Sequence, residues 1–247
     1  MTTLQDTIRP SAPRREWKVI VILILLIPVL WAPLLSVRFL LVQPFSIPSN
    51  SMAPTLTVGD YVFAAKSAYG YGRYSFPFAS MFISRRVLAA EPAYGDIVVF
   101  RTPEDTSVDY VKRVVGLPGD RVQIRNGELF LNDKPAMRLA MTDEAADSAC
   151  SVDTAEKVRR WREVLPNGVS YVIYDCVESG YLDNTKVFTV PSGHVFVLGD
   201  NRDNSTDSRM ATIGFIPMDN LVGKVTRIIW SVDEEGELRP ERIKKVK

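Results

Sequence analysis

Between Lys18 and Arg38 the chain carries no charge: Val19–Val37 reads VIVILILLIPVLWAPLLSV. A bilayer core takes about 20 apolar residues as a helix, so the run is long enough to span one. It is apolar on every face, which argues against a helix lying on a soluble core with one buried stripe. Pro28 and Pro33 predict a kink, which spanning helices tolerate. A cleaved secretory leader has a shorter apolar region and a small-x-small cut site close behind it, and neither is present. Arg9, Arg14, Arg15 and Lys18 precede the run, while Arg38 is the nearest basic residue after it. The positive-inside tendency therefore keeps residues 1–16 cytoplasmic, makes 17–42 an uncleaved anchor and places the rest on the far side. No second run of this length follows, so one span is expected.

The remainder has the composition of a folded chain. Of 247 residues, 46% are hydrophobic and 24% charged, and the net charge is +1. Near-neutrality without a basic block argues against nucleic acid as a partner. There is one histidine, His194, which excludes zinc sites built on several histidines and leaves a Ser-His-Asp triad a single candidate base. Cys150 and Cys176 lack the C-x-x-C spacing of a metal knuckle or redox pair. One bridge and two free thiols are both open; a compartment outside the cytoplasm favours the bridge.

Beyond residue 42 the pattern is mainly β. Short β-branched or alternating runs recur at Tyr61–Ala65, Asp96–Arg101, Tyr110–Val115, Arg121–Arg125, Glu128–Leu131, Ser170–Tyr174, Val187–Val190, His194–Leu198 and Leu221–Val232. Pro118-Gly119-Asp120, Asn126-Gly127 and Pro191-Ser192-Gly193 punctuate them, and Asn126-Gly127 is a hairpin signal. The polar, irregular middle reads as an insertion, with one helix expected near 153–164. Phe76–Leu88 is apolar for a loop, and either an ordinary buried hairpin or contact with the bilayer surface fits it.

Three segments carry the chemistry-bearing residues. Pro48–Leu56 (PSNSMAPTL) fixes two serines between prolines. Asp109–Asp120 (DYVKRVVGLPGD) sets Lys112 and Arg113 side by side in a strand, so they point to opposite faces. Gly199–Arg209 (GDNRDNSTDSR) is dense in short polar side chains. By composition each has an ordinary reading: a turn, a solvated lysine, a surface loop. The last lacks the closing glutamate of an EF-hand loop, so no metal is expected.

Taken together, the anchor, these three segments and Gly95–Phe100 (GDIVVF) stand in the order found in type I signal peptidases, and the chain resembles that family of Ser/Lys serine proteases over most of its length. The resemblance implies a mainly β fold: a β-rich catalytic domain, here 43–132 and 194–247, with an inserted second β-containing domain at 133–193, after one transmembrane helix. It implies Ser51 as nucleophile, Lys112 as general base and Ser205 as the hydroxyl that orients the lysine. Ser49 and the Ser51 N–H would form the oxyanion hole, and Asp200 and Arg209 a structural ion pair. Phe45, Ile47, Met52, Leu56, Tyr110 and Val111 would line shallow substrate pockets. The implied substrates are secretory pre-proteins with small residues at the −1 and −3 positions. The implied setting is the inner (cytoplasmic) membrane, single-pass, with the catalytic side extracytoplasmic. Membrane phospholipid and the export translocon are the implied neighbours, and no cofactor is needed. The chain departs from well-known Gram-negative members in showing one span rather than two, and its cysteines are further apart than a tight bridge would have them.

Rival readings fare worse. His194 stands in a strand-like run without a partner motif. Self-cleaving repressors share the Ser/Lys chemistry but lack an anchor and carry a DNA-binding domain. A silent membrane scaffold has no need of Ser51, Lys112 and Ser205 together.

Overall fold

The computed structural model describes residues 16–76, 83, 85–142, 144–145, 150 and 157–246. The chain divides into two units at Arg38/Phe39, and each is described by itself. The first carries most of helix α1, Glu16–Leu40. Leu25, Leu30 and Trp31 on α1 are exposed. The expectation of a spanning helix is not met as it stands: among the described residues no helix is long and apolar enough to cross a membrane.

In the second unit the strands run β1 (Val42–Ser46), β2 (Asp60–Ala65), β3 (Ile97–Arg101) and β4 (Asp109–Gly116). Next come β5 (Arg121–Arg125), β6 (Glu128–Leu131), β7 (Lys134–Pro135) and β8 (Met137–Ala140). They are followed by β9 (Glu144–Ala145), β10 (Lys157–Val164), β11 (Ser170–Asp175) and β12 (Phe188–Thr189). The last are β13 (His194–Leu198), β14 (Ile216–Pro217) and β15 (Leu221–Ser231). The main sheet has the order β1-β2-β15-β3-β4-β13-β14, with antiparallel pairing throughout. The last strand thus sits between the pair that flanks Ser51 and the pair that carries Lys112. Two smaller sheets follow, β11-β10-β8 with β9 on β10, and β12-β5-β6-β7.

The β-branched runs form these strands because alternate residues bury an apolar face. Val62, Ala64, Ile97, Val99, Val225 and Ile228 pack with Met52 and Leu56 in one core beside the candidate site. A second core joins Val115, Val122, Ile124, Leu129, Ile173 and Phe196. Asn126 and Gly127 both take positive φ, as the tight β5–β6 turn requires.

One expectation is corrected. The helix near 153–164 is instead strand β10 over 157–164; residues 153–156 lie outside the described ones. β10 is flanked by β8 and β11, and this pairing on both edges overrides its helix-compatible composition. Its charges have local partners: Arg159 with Asp175, and Glu163 with Arg202 and the Tyr171 hydroxyl. The stretch 133–193 is not separated as a unit of its own. β12 pairs with β5, and Tyr174 bridges to Asn201. β1 follows α1 after one residue. Of Phe76–Leu88, residues 77–82 and 84 lie outside the described ones, as do the tail residues 1–15.

Candidate active site

The turn that carries Ser51 leaves β1 and re-enters the sheet as β2. Ser49 is extended, and Asn50–Met52 form one turn of 3-10 helix. The Asn50 side chain accepts from the Val58 N–H at 3.1 Å, closing the loop across its base. Met52 and Leu56 point inward and are buried, which seats the turn on the sheet.

Lys112 reaches this turn from β4. Its Nζ lies 2.7 Å from Ser51 Oγ and 3.0 Å from the Val111 carbonyl oxygen. The side chain is 4% exposed. Burial strips water from the ammonium and holds the lysine down to about 8. The carboxylates of Asp207 and Asp200 pull the other way, and the Arg209 guanidinium adds to the lowering. At pH 7 roughly one amine in ten is then neutral, against fewer than one in a thousand for a solvated lysine. Ser49 Oγ lies 3.3 Å from Ser51 Oγ. A seryl hydroxyl at hydrogen-bond distance from an amine with an appreciable neutral fraction is the pairing that nucleophilic acyl transfer needs.

The loop after β13 supports this pair from behind. The Asn201 N–H donates to the Ser51 carbonyl at 3.2 Å, and its side-chain amide donates to the Asn50 carbonyl at 3.2 Å. A Cβ on Gly199 would stand 2.5 Å from the Ser51 carbonyl oxygen and 2.2 Å from Ser205 Oγ, so only glycine fits there. Ser205 is buried and lines the same cleft as Lys112. Its hydroxyl has no well-formed hydrogen bond among the described residues, though it helps hold the Asp207 carboxyl down.

The expected Asp200–Arg209 pair is replaced by two others. Asp200 takes a bidentate grip from Arg113, at 2.7 Å on each oxygen, and accepts from the Thr55 hydroxyl at 2.5 Å. Arg113 is wholly buried and also covers the Tyr171 ring at 4.0 Å. Arg209 instead grips Asp207, with both contacts at 2.8 Å. The cause is strand alternation: Arg113, on the face opposite Lys112, meets Asp200 first. Arg209, two residues from Asp207, closes a short loop on it. Burial alone would raise the Asp207 carboxyl, but Arg209 and the Gly199 N–H hold it low. The sequence reading missed Asp207 and Arg113, and nothing short of the register of β4 distinguished Arg113 from a solvated cation.

A cleft of about 830 Å³ opens over Ser51 and Lys112. Phe45, Ile47, Met52, Tyr110 and Val111 line it, with Ser49 and Ser205. Leu56 does not: it is fully buried in the core beneath the turn. His194 lies outside the cleft lining, its Nδ1 2.9 Å from the Ser192 carbonyl. Cys150 and Cys176 are joined in a disulfide with their Cα atoms 5.8 Å apart. The bridge packs under Ala53 with Val158 and Tyr174, against the turn that bears Ser51. Among the described residues no cluster of ligating side chains could hold a metal.

Fold and site together define a β-rich hydrolase with a serine beside a buried lysine. Comparison with known proteins gives the family. Residues 14–230 match the family described as signal peptidase, peptidase S26. Signal peptidase I of Rickettsia typhi is 41% identical over 217 residues, covering 82% of this chain and 79% of that one. The same figures hold for Rickettsia prowazekii. Signal peptidase I of Rickettsia conorii is 39% identical over the same shares. A crystal structure of a signal peptidase I from Enterococcus faecalis is 27% identical, covering 56% of this chain and 98% of that one, with a TM-score of 0.32. The chain belongs to the signal peptidase family and is a serine protease of that class.

Proposed function

We propose that the chain removes N-terminal signal peptides from exported pre-proteins, with Ser51 as nucleophile and Lys112 as general base. The observation that carries this reading is the 2.7 Å approach of Lys112 Nζ to Ser51 Oγ by an amine held down to about 8. The neutral amine accepts the Ser51 proton as Oγ adds to the scissile carbonyl. The developing oxyanion receives hydrogen bonds from the Ser51 N–H and the Ser49 hydroxyl, each donor worth about 3 kcal/mol in comparable sites. Lys112 then protonates the leaving amine, and the signal peptide stays esterified to Ser51. A water that gives its proton to Lys112 releases it. Ser205 acts as the hydroxyl that steers the amine, and the Arg113–Asp200 and Arg209–Asp207 pairs brace the site.

Phe45, Ile47, Met52, Tyr110 and Val111 form shallow seats for small side chains at the −1 and −3 positions. The catalytic parts are 43–132 and 194–247, with 133–193 inserted between them. The anchor rests on the uncharged run Val19–Val37 and the basic residues before it. It holds the catalytic unit at the outer surface of the cytoplasmic membrane, beside phospholipid and the translocon that delivers the substrate.

The test is cleavage of a pre-protein in detergent by wild type, Ser51→Ala and Lys112→Ala, with the cut site mapped. Cleavage after a small-x-small sequence by wild type alone is expected. Turnover by Lys112→Ala at the wild-type rate would falsify the assignment of the base.

A further inference from the structure

The cleft is larger than its proposed occupants need. At about 830 Å³ it lies towards the upper end of the roughly 300–1,000 Å³ that encloses a drug-sized ligand, well beyond two small side chains. Its lining also comes from two parts of the chain. Phe45–Met52 and Val108–Lys112 belong to the main sheet and its turn, where the residues before the cut are seated. Tyr181, Leu182, Asp203 and Asn204 come from elsewhere.

Tyr181 is 94% exposed. One exposed aromatic means little, but this one stands on a braced turn. The Gly180 N–H donates to the Asp183 carboxylate at 2.6 Å, and the Asp183 N–H returns to the Gly180 carbonyl at 3.1 Å. The Gly180 backbone lies against Asp203: a Cβ there would stand 2.3 Å from its Oδ1. The other Asp203 oxygen accepts the Cys176 and Val177 N–H groups at 2.7 and 2.9 Å. Cys176 is in turn tied to Cys150. The backbone that carries the ring is therefore held at the cleft edge, which removes the cost of ordering that loop on binding.

We propose that Tyr181, with Leu182 beside it, is a specificity residue for the leaving side of the substrate, contacting an apolar side chain among the first residues after the cut. This rests on the peptidase reading above. A peptide running over Ser51 from the seats lined by Phe45, Ile47, Tyr110 and Val111 must continue across the remaining lining. There it meets an aromatic ring, a leucine and the Asp203 carboxylate. Arg202, which also borders the cleft, is buried and committed to Glu163, so it offers no counter-charge to an acidic residue. Apolar residues are favoured after the cut and acidic ones disfavoured.

The experiment uses the full chain in detergent and two internally quenched peptides identical up to the cut. One continues with leucine residues, the other with glycine residues. Tyr181→Ala is expected to lower kcat/KM about 3- to 10-fold on the leucine peptide, the range an aromatic contact gives. The loss should fall mainly on KM, with the glycine peptide changed by less than about 2-fold. Tyr181→Phe should keep the preference. Equal loss on both peptides, or none on either, overturns the proposal while leaving the peptidase reading intact. Failure of wild type to cut either peptide overturns that reading and this one with it.

Discussion

Lys112 and Arg113 are adjacent on β4 and face opposite sides of the sheet, one towards Ser51 and the other towards Asp200. Both are buried, yet their fates differ. Lysine gives up its proton when water is removed, whereas arginine keeps its charge and must be paired. On the proposed mechanism the neighbouring cations divide the labour between a proton acceptor and a brace.

The first prediction concerns pH. Only the neutral amine can accept the Ser51 proton, so kcat/KM should rise about tenfold per unit as pH increases towards 8 and then level off. A pH–rate profile from 5.5 to 9.5 tests this. A plateau already reached at pH 6 would show that another group takes the proton.

Stability should rise where activity is lost in a variant without Lys112. Lys112 is held at about 8 in the fold against an ordinary 10.5, so the unfolded chain binds the proton more readily. The folded state therefore loses stability as pH falls from about 10.5 to 8. Lys112→Met removes this term and should be more stable than wild type at pH 7 by up to about 3 kcal/mol. The gap should close above pH 10.5, as read by denaturant melts across pH.

The Arg113–Asp200 pair should behave asymmetrically. Arg113→Ala leaves a buried carboxylate without its counter-ion and should cost about 3–5 kcal/mol. Urea unfolding of Arg113→Ala, Asp200→Asn and the double variant tests the coupling. A double variant no more stable than the sum of the single losses would deny that the two act as a pair.

Gly199→Ala places a methyl group against the Ser51 carbonyl and Ser205. A displacement of about 1 Å at a nucleophile can cost about 100-fold. The variant should lose kcat by that order while keeping its sheet content by circular dichroism.

Opening the disulfide removes a closure over a sequence separation of 26 residues, worth about 3–4 kcal/mol on the chain-entropy account. Cys150→Ala/Cys176→Ala should melt correspondingly earlier, and added reductant should lower the wild type to match.

The strands were legible where β-branched residues alternate between turn signals: Arg121–Arg125, Glu128–Leu131 and His194–Leu198 have the bounds the sequence suggests. β10 was not, because KVRRWREV reads equally well as an exposed helix until Glu163 finds Arg202 and both edges find partners. In the site, alternation separates Lys112 from Arg113. Which carboxylate each arginine takes depends on contacts across 87 positions for Arg113 and across only 2 for Arg209. Leu56 lies beside the cleft residues in sequence but turns inward, a matter of one side chain's direction that local pattern does not determine.

The position of β15 has a consequence for when the enzyme becomes active. Strands β1 and β2 hold the Ser51 turn, β3 and β4 hold Lys112, and among the described residues the sheet joins the two pairs through Leu221–Ser231. A ribosome makes Ser51 first, Lys112 some sixty residues later and the joining strand after both. A chain clipped before residue 221 lacks that sheet junction and keeps the contacts of Asn201, Asp200 and Arg113 between the Ser51 turn and β4. The approach of Lys112 to Ser51 through the main sheet is thus complete only once Leu221–Ser231 has docked between the two pairs.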